Sequence, residues 1–120
     1  MARILVCDDS LFMRMLLKKA LTDQGHEVVA EAEDGRKAVE LYQRCQPDLV
    51  TMDITMPSVD GIKAAQLILA GDAAARIIMV TAICQQAVRD EAMAAGAAGF
   101  IVKPFDALQI KETVERVLHN

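Results

Sequence analysis

The chain has 120 residues, a formal net charge of −4 and 53% hydrophobic residues, but only 3% are aromatic and Trp is absent. That length suffices for one core, so residues 1–120 read as a single domain built on Val, Ile, Leu, Met and Ala. The acidic balance argues against nucleic acid or anionic membrane as partners, because both select basic surfaces.

Arg14, Lys18 and Lys19 form one basic cluster, which reads as a solvated helix face. No run reaches the ~20 apolar residues of a spanning helix. The start, Met-Ala-Arg-Ile-Leu-Val, lacks the long apolar stretch and cleavage site of a signal peptide. A cytoplasmic location is therefore expected. Cys7, Cys45 and Cys84 fit no metal or redox spacing and read as reduced, mostly buried thiols.

In chain order, Ile4–Cys7 is a buried strand. Ser10 caps a helix that runs to about Gln24 and stops at Gly25. Phe12, Leu16 and Ala20 share one face of it, with Met13 and Leu17 beside them. Val28–Ala30 is a second strand, placed at an edge by the flanking Glu27, Glu31 and Glu33. Asp34-Gly35 opens a second helix, with Val39, Tyr42 and Cys45 inward, and Pro47 prevents its continuation.

Leu49–Met52 is the third strand and runs into Asp53. A loop from Ile54 to Gly61 precedes a helix over Lys63–Ala70. Ile77–Val80 is the fourth strand and ends at Thr81, followed by a helix from about Gln85 to Ala95. Phe100–Val102 is the fifth strand and ends at Lys103-Pro104. Ala107–Leu118 is the last helix, with Ile110, Val114, Val117 and Leu118 inward. The methionines Met13, Met15, Met52 and Met79 read as core filler. His26, at a turn, and His119, at the terminus, read as surface residues.

Strands alternating with helices predict an α/β fold: one doubly wound, five-stranded parallel sheet with helices on both faces. Right-handed crossovers leave few windings. The flavodoxin-like one has the order 2-1-3-4-5 and a crevice at the carboxyl ends of strands 1 and 3. Asp8, Asp9, Asp53, Thr81 and Lys103 all fall at strand ends on that rim. Any one of them alone reads as a helix cap; together they read as a site.

Two carboxylates about 4 Å apart repel by about 4 kcal/mol at an effective dielectric of about 20. Three acids therefore need a proton or added cations. Lys103 supplies one charge, and a hard divalent ion, Mg2+ by the oxygen-only ligand set, supplies the rest. Such a group of acids, a hydroxyl and an ammonium suits a phosphoryl group, and a carboxylate can itself be the nucleophile.

Asp8-Asp9-Ser10, Met52-Asp53-Ile54-Thr55-Met56-Pro57 with Asp60-Gly61, Val80-Thr81-Ala82 and Lys103-Pro104-Phe105 stand in order along the chain. With these markers the chain resembles the receiver domain of two-component response regulators over essentially its whole length. Phe12-Met13-Arg14 and Gln85-Gln86 lean toward the stand-alone chemotaxis subgroup.

The resemblance implies a signalling switch, not a turnover enzyme, with Asp53 as phosphoacceptor. It implies Mg2+ on Asp8, Asp9, Asp53 and the Thr55 carbonyl, with Thr81 and Lys103 binding the phosphoryl group. It also implies a cis Lys103–Pro104 bond and a movement of Thr81 that lets the Phe100 ring turn inward. The residue-level alternative for Phe100 is an ordinary core aromatic. The implied donor is a sensor histidine kinase. The implied output surface is the face of helix 4, strand 5 and helix 5, and the implied partner of the monomer is the flagellar motor switch protein. Thr55 and Ile83 occupy the positions that tune acyl-phosphate lifetime in this family. Neither positions a water well, so a slow reset is expected.

Three other readings compete. An aspartate-nucleophile phosphatase usually places its acids two residues apart and carries a cap domain. A flavin-binding module needs a hydroxyl- and glycine-rich phosphate loop after strand 1 and aromatic walls; Asp8-Asp9 would repel the phosphate, and one Tyr with three Phe offers few walls. A phosphorelay carrier, or a receiver cut from a larger transcription regulator, keeps the chemistry and changes the partner.

Overall fold

A computed structural model describes residues 1–119. Five strands and five helices alternate: β1 (Arg3–Cys7), α1 (Leu11–Asp23), β2 (Glu27–Ala32), α2 (Gly35–Cys45), β3 (Leu49–Met52), α3 (Gly61–Gly71), β4 (Ile77–Thr81), α4 (Gln86–Ala94), β5 (Gly99–Val102) and α5 (Ala107–Leu118). The strands pair in parallel, as the alternation predicted, and their order β2-β1-β3-β4-β5 is that of the flavodoxin-like winding. No helix among the described residues is long and apolar enough to cross a membrane.

The central strands β1, β3 and β4, with β5, are almost wholly apolar because successive side chains enter opposite layers. Leu5, Cys7, Val50, Met52, Ile77 and Met79 pack with Ala38 and Tyr42 of α2, Ala64 and Ile68 of α3, and Ala92 of α4. Ile4, Val6, Leu49, Ile78, Val80 and Ile101 pack with Leu17 and Leu21 of α1 and Ile110, Val114 and Val117 of α5. Both layers stop at the carboxyl ends of the strands, where polar residues begin.

β2 is the exposed edge anticipated from its glutamates, and it extends to Glu27 and Ala32. Its register slips between Ile4 and Leu5, and charged side chains keep such an edge from pairing with another chain. The α1 stripe is wider than its core contact. Leu17 and Leu21 are buried, while Phe12 is 67% and Leu16 40% exposed. Sequence periodicity locates an apolar stripe; docking against β1 and α5 selects the part that is covered. Met15, on the same stripe, is exposed and is not core filler, unlike Met52 and Met79.

α3 begins at Gly61, two residues before the sequence placed it, because the Asp60 carboxylate accepts the Lys63 N–H and caps the helix. Of the cysteines only Cys7 is buried; its thiol is pushed up by burial and by the charge of Asp8. Cys45 is half-buried, and Cys84 is exposed in the β4–α4 loop, where solvent covers the chain. His26 is half-buried, not superficial, and its Nδ1 accepts the Ala2 N–H at 3.1 Å.

Candidate functional site

The parallel ladder continues one residue beyond the strands and so delivers the acids and the lysine to one rim. The Asp8 N–H donates to the Ala32 carbonyl, the Asp53 N–H to the Cys7 carbonyl, and the Lys103 N–H to the Thr81 carbonyl, at 3.0, 2.9 and 2.8 Å. Backbone pairing thus aligns the ends of β1, β3, β4 and β5, and the pleat turns the side chains into the space above the sheet.

Lys103 Nζ donates to Asp8 Oδ2 at 2.6 Å and to Asp53 Oδ2 at 3.2 Å. The other Asp8 oxygen accepts the Ser10 N–H at 2.9 Å. Asp8 and Asp53 are 1% and 6% exposed, so solvent screens their repulsion weakly, whereas Asp9 and Thr55 face solvent. Burial is the main influence on Asp53 and raises its carboxyl above the usual range. The charge of Asp8 adds to that rise, while Lys103 and the Thr55 N–H oppose it. Burial alone would lower the Lys103 ammonium; its hydrogen bonds and the charges of both carboxylates outweigh that and raise it. The Lys103–Pro104 bond is cis.

One carboxylate oxygen each from Asp8, Asp9 and Asp53 lies within 4.8 Å of the others. These are hard donors, partly exposed through Asp9, and the single ammonium leaves negative charge uncompensated. That donor set fits a hard divalent cation that retains water ligands. Thr81 is buried at the end of β4, and its Oγ1 accepts the Ile83 N–H at 3.3 Å.

Close backbone packing shapes the β3–α3 loop. A Cβ on Gly61 would lie 1.9 Å from the Asp53 carbonyl oxygen, and one on Gly35 would lie 1.9 Å from that of Val59. The Gly61 N–H donates to the Ile54 carbonyl at 2.7 Å. Without a side chain at Gly61, the start of α3 sits directly against the backbone of Asp53.

Phe100 is half-buried on β5, and the Arg89 guanidinium of α4 covers its ring at 5.3 Å from the centroid. α4 has no side-chain hydrogen bond at its N-cap Gln85. Beside the rim, Phe12, Leu16, Pro104 and Phe105 form an apolar groove that reaches Lys103.

The sequence grouped Arg14 with a solvated face, and here the structure differs. Its side chain is 13% exposed, its Nη1 donates to the Asp8 carbonyl at 2.8 Å, and its Nε bonds Glu31 at 3.1 Å. The available signal was its spacing: Arg14 lies one helical turn after the capping Ser10, on the side that looks back toward Asp8.

A family model described as response regulator receiver domain matches residues 4–115. The chemotaxis protein CheY of Bacillus subtilis (strain 168) is 54% identical over 117 residues, covering 98% of both chains. That of Thermotoga maritima is 50% identical over 115 residues, covering 96% of both. CheY in the crystal structure of the CheX-CheY-BeF3-Mg2+ complex from Borrelia burgdorferi superposes with a TM-score of 0.94 at 36% identity, covering 96% of this chain and 87% of that one. Similarity of this extent, on the same winding and with acids gathered at its crevice, makes the chain a member of the response regulator receiver domain family, of the CheY-like kind.

Proposed function

We propose that Asp53 accepts a phosphoryl group from the phosphohistidine of a sensor histidine kinase. In this reading Mg2+ is held by Asp8, Asp9, Asp53 and the carbonyl of Thr55, and the flagellar motor switch protein receives the signal. As a receiver domain the chain is a phosphorylation-dependent phosphoacceptor and not a turnover enzyme. The observation that carries the assignment is the ammonium of Lys103 held between Asp8 and Asp53 at a buried rim.

An Asp53 carboxylate oxygen forms the new bond to phosphorus as the bond from phosphorus to the histidine nitrogen breaks. The imidazole leaves with its electron pair and takes a proton from solvent. Mg2+, when bound, supplies positive charge to the phosphoryl oxygens. Lys103, already poised 3.2 Å from Asp53, then pairs with a phosphoryl oxygen, and Thr81 donates its hydroxyl to another. The apolar rim of Phe12, Leu16, Pro104 and Phe105 gives a donor domain a surface beside the acceptor. The phosphoryl group adds negative charge and strong acceptors that bias a two-state element. Thr81 moves toward it, Phe100 packs into the vacated space, and the α4–β5–α5 face changes its affinity for its partner. Shifting a population from 1:99 to 99:1 takes about 5.5 kcal/mol; partner binding supplies part of that bias.

The test is to incubate the chain with Mg2+ and a small acyl-phosphate donor and to map the adduct by mass. One phosphoryl group per chain, on the peptide containing Asp53, is expected, with none in Asp53→Asn or in chelator. Labelling elsewhere, or labelling indifferent to Mg2+, would refute the reading. Tighter binding of the labelled chain to a flagellar switch peptide would separate the chemotaxis output from a relay.

A further inference from the structure

The peptide that joins Asp8 to Asp9 has a partner outside the ligand set. Its carbonyl accepts Nη1 of Arg14 at 2.8 Å, and the Nε edge of the same guanidinium bonds Glu31 Oε1 on β2 at 3.1 Å. Lys18 adds a second cation to Glu31 at 3.8 Å. The Arg14 side chain is 13% exposed, so water competes weakly for both bonds.

This clamp acts at a place of mechanical consequence. The Asp8 N–H is fixed by Ala32, and its carboxylate oxygens are fixed by Ser10 and Lys103. Rotation of the Asp8–Asp9 peptide is not fixed by these bonds, and it moves the backbone from which the exposed Asp9 carboxylate projects. Arg14 restrains that plane. Its charge also lies beside an acid pair that repels itself, and arginine keeps that charge at every relevant pH. A planar fork can hold a carbonyl and a carboxylate at once; an ammonium cannot hold both in the same geometry.

We infer that Arg14, anchored by Glu31, is a positioning residue that sets the affinity of the Asp8–Asp9–Asp53 pocket for its divalent ion. This rests on the reading of that pocket as the Mg2+ site. Residues that orient metal ligands change affinity by about 10- to 100-fold when they are replaced.

The experiment is a Mg2+ titration followed through the backbone amide shifts of Asp8, Asp9 and Asp53, with urea unfolding of the metal-free proteins alongside. Arg14→Gln should weaken Mg2+ by about tenfold or more, Arg14→Lys by nearly as much, and Glu31→Gln by a smaller factor. Lys19→Gln, which removes a charge elsewhere on α1, should bind as the parent does. If the parent takes up no Mg2+, the reading of the pocket fails. If the parent binds and the Arg14 variants bind equally well, whatever their urea midpoints, Arg14 is only structural and the inference is overturned. Should Arg14→Gln fail to fold, Glu31→Gln decides: unchanged affinity there overturns the inference. Full recovery in Arg14→Lys would also overturn it, since charge alone would then suffice.

Discussion

The guanidinium of Arg89 lies over the ring of Phe100, 5.3 Å from its centroid, and joins α4 to β5 across the face proposed to carry the output. A cation over an aromatic face at a partly exposed site contributes about 0.5–1 kcal/mol. Phe100 has no phenol to hold it outward, so this contact and the packing around it set where the ring rests. The uncapped N-terminus of α4 leaves that helix freer to shift than α5, whose Asp106 and Gln109 form a reciprocal cap.

Arg89→Leu should therefore raise the inward population of Phe100 in the unphosphorylated protein by about two- to fivefold, the equivalent of that contact. With three phenylalanines in the chain, selective ring labelling and chemical shift resolve it directly. A ring population unchanged by the substitution would show that Arg89 does not restrain the switch.

Gly61 and Gly71 open and close the same helix under different constraints. A methyl on Gly61 meets the backbone of Asp53, which cannot rotate aside, whereas one on Gly71 meets nothing within 4 Å. Gly61→Ala should lower stability by about 1–3 kcal/mol through overpacking and should slow labelling of Asp53. Gly71→Ala should raise stability by up to about 1 kcal/mol by removing backbone freedom from a helical position. Urea midpoints of both variants check the pair; equal effects would contradict the close approach at Asp53.

At the opposite end of the sheet, His26 should make stability depend on pH. Burial, then the N-terminal ammonium, lower its imidazole below the ordinary value, while Glu115 opposes them. Asp48, Arg76 and His119 line the same depression. Protonation at Nδ1 would also displace the Ala2 N–H. In the window below about pH 6.5 the unfolded chain binds the proton first, so stability falls as pH falls and is regained as it rises. Urea midpoints should drop between about pH 7 and pH 5.5, less so in His26→Gln, which keeps an acceptor without a charge to gain. An NMR titration midpoint for His26 above 6.5 would contradict this.

Thr55, exposed in the β3–α3 loop, and Ile83, half-buried in the β4–α4 loop, line one depression, and neither side chain carries an acid or amide to hold a water. Installing both functions, with Thr55→Asn and Ile83→Glu together, should speed acyl-phosphate decay by a factor on the order of ten, below the usual range for a fully positioned acid or base. Decay followed by loss of the phosphoryl mass measures it. A double variant that decays no faster would remove these positions as the cause of a slow reset.

The residue pattern alone settled the alternation of strands and helices, the buried character of β1, β3 and β4, and the arrival of Asp8, Asp53, Thr81 and Lys103 at strand ends. Those properties are local: side-chain periodicity, caps and glycines act within a few residues. What the chain order could not decide was which half of the α1 stripe is covered, where α3 meets Asp53, and which partners Arg14 and Lys103 select. Lys103 and Asp8 stand 95 residues apart in sequence, and their 2.6 Å contact exists because four crossovers bring β5 and β1 to the same rim. Burial of that rim gives the contact its strength, since the same charges in water would interact weakly. Only the packed sheet creates that burial.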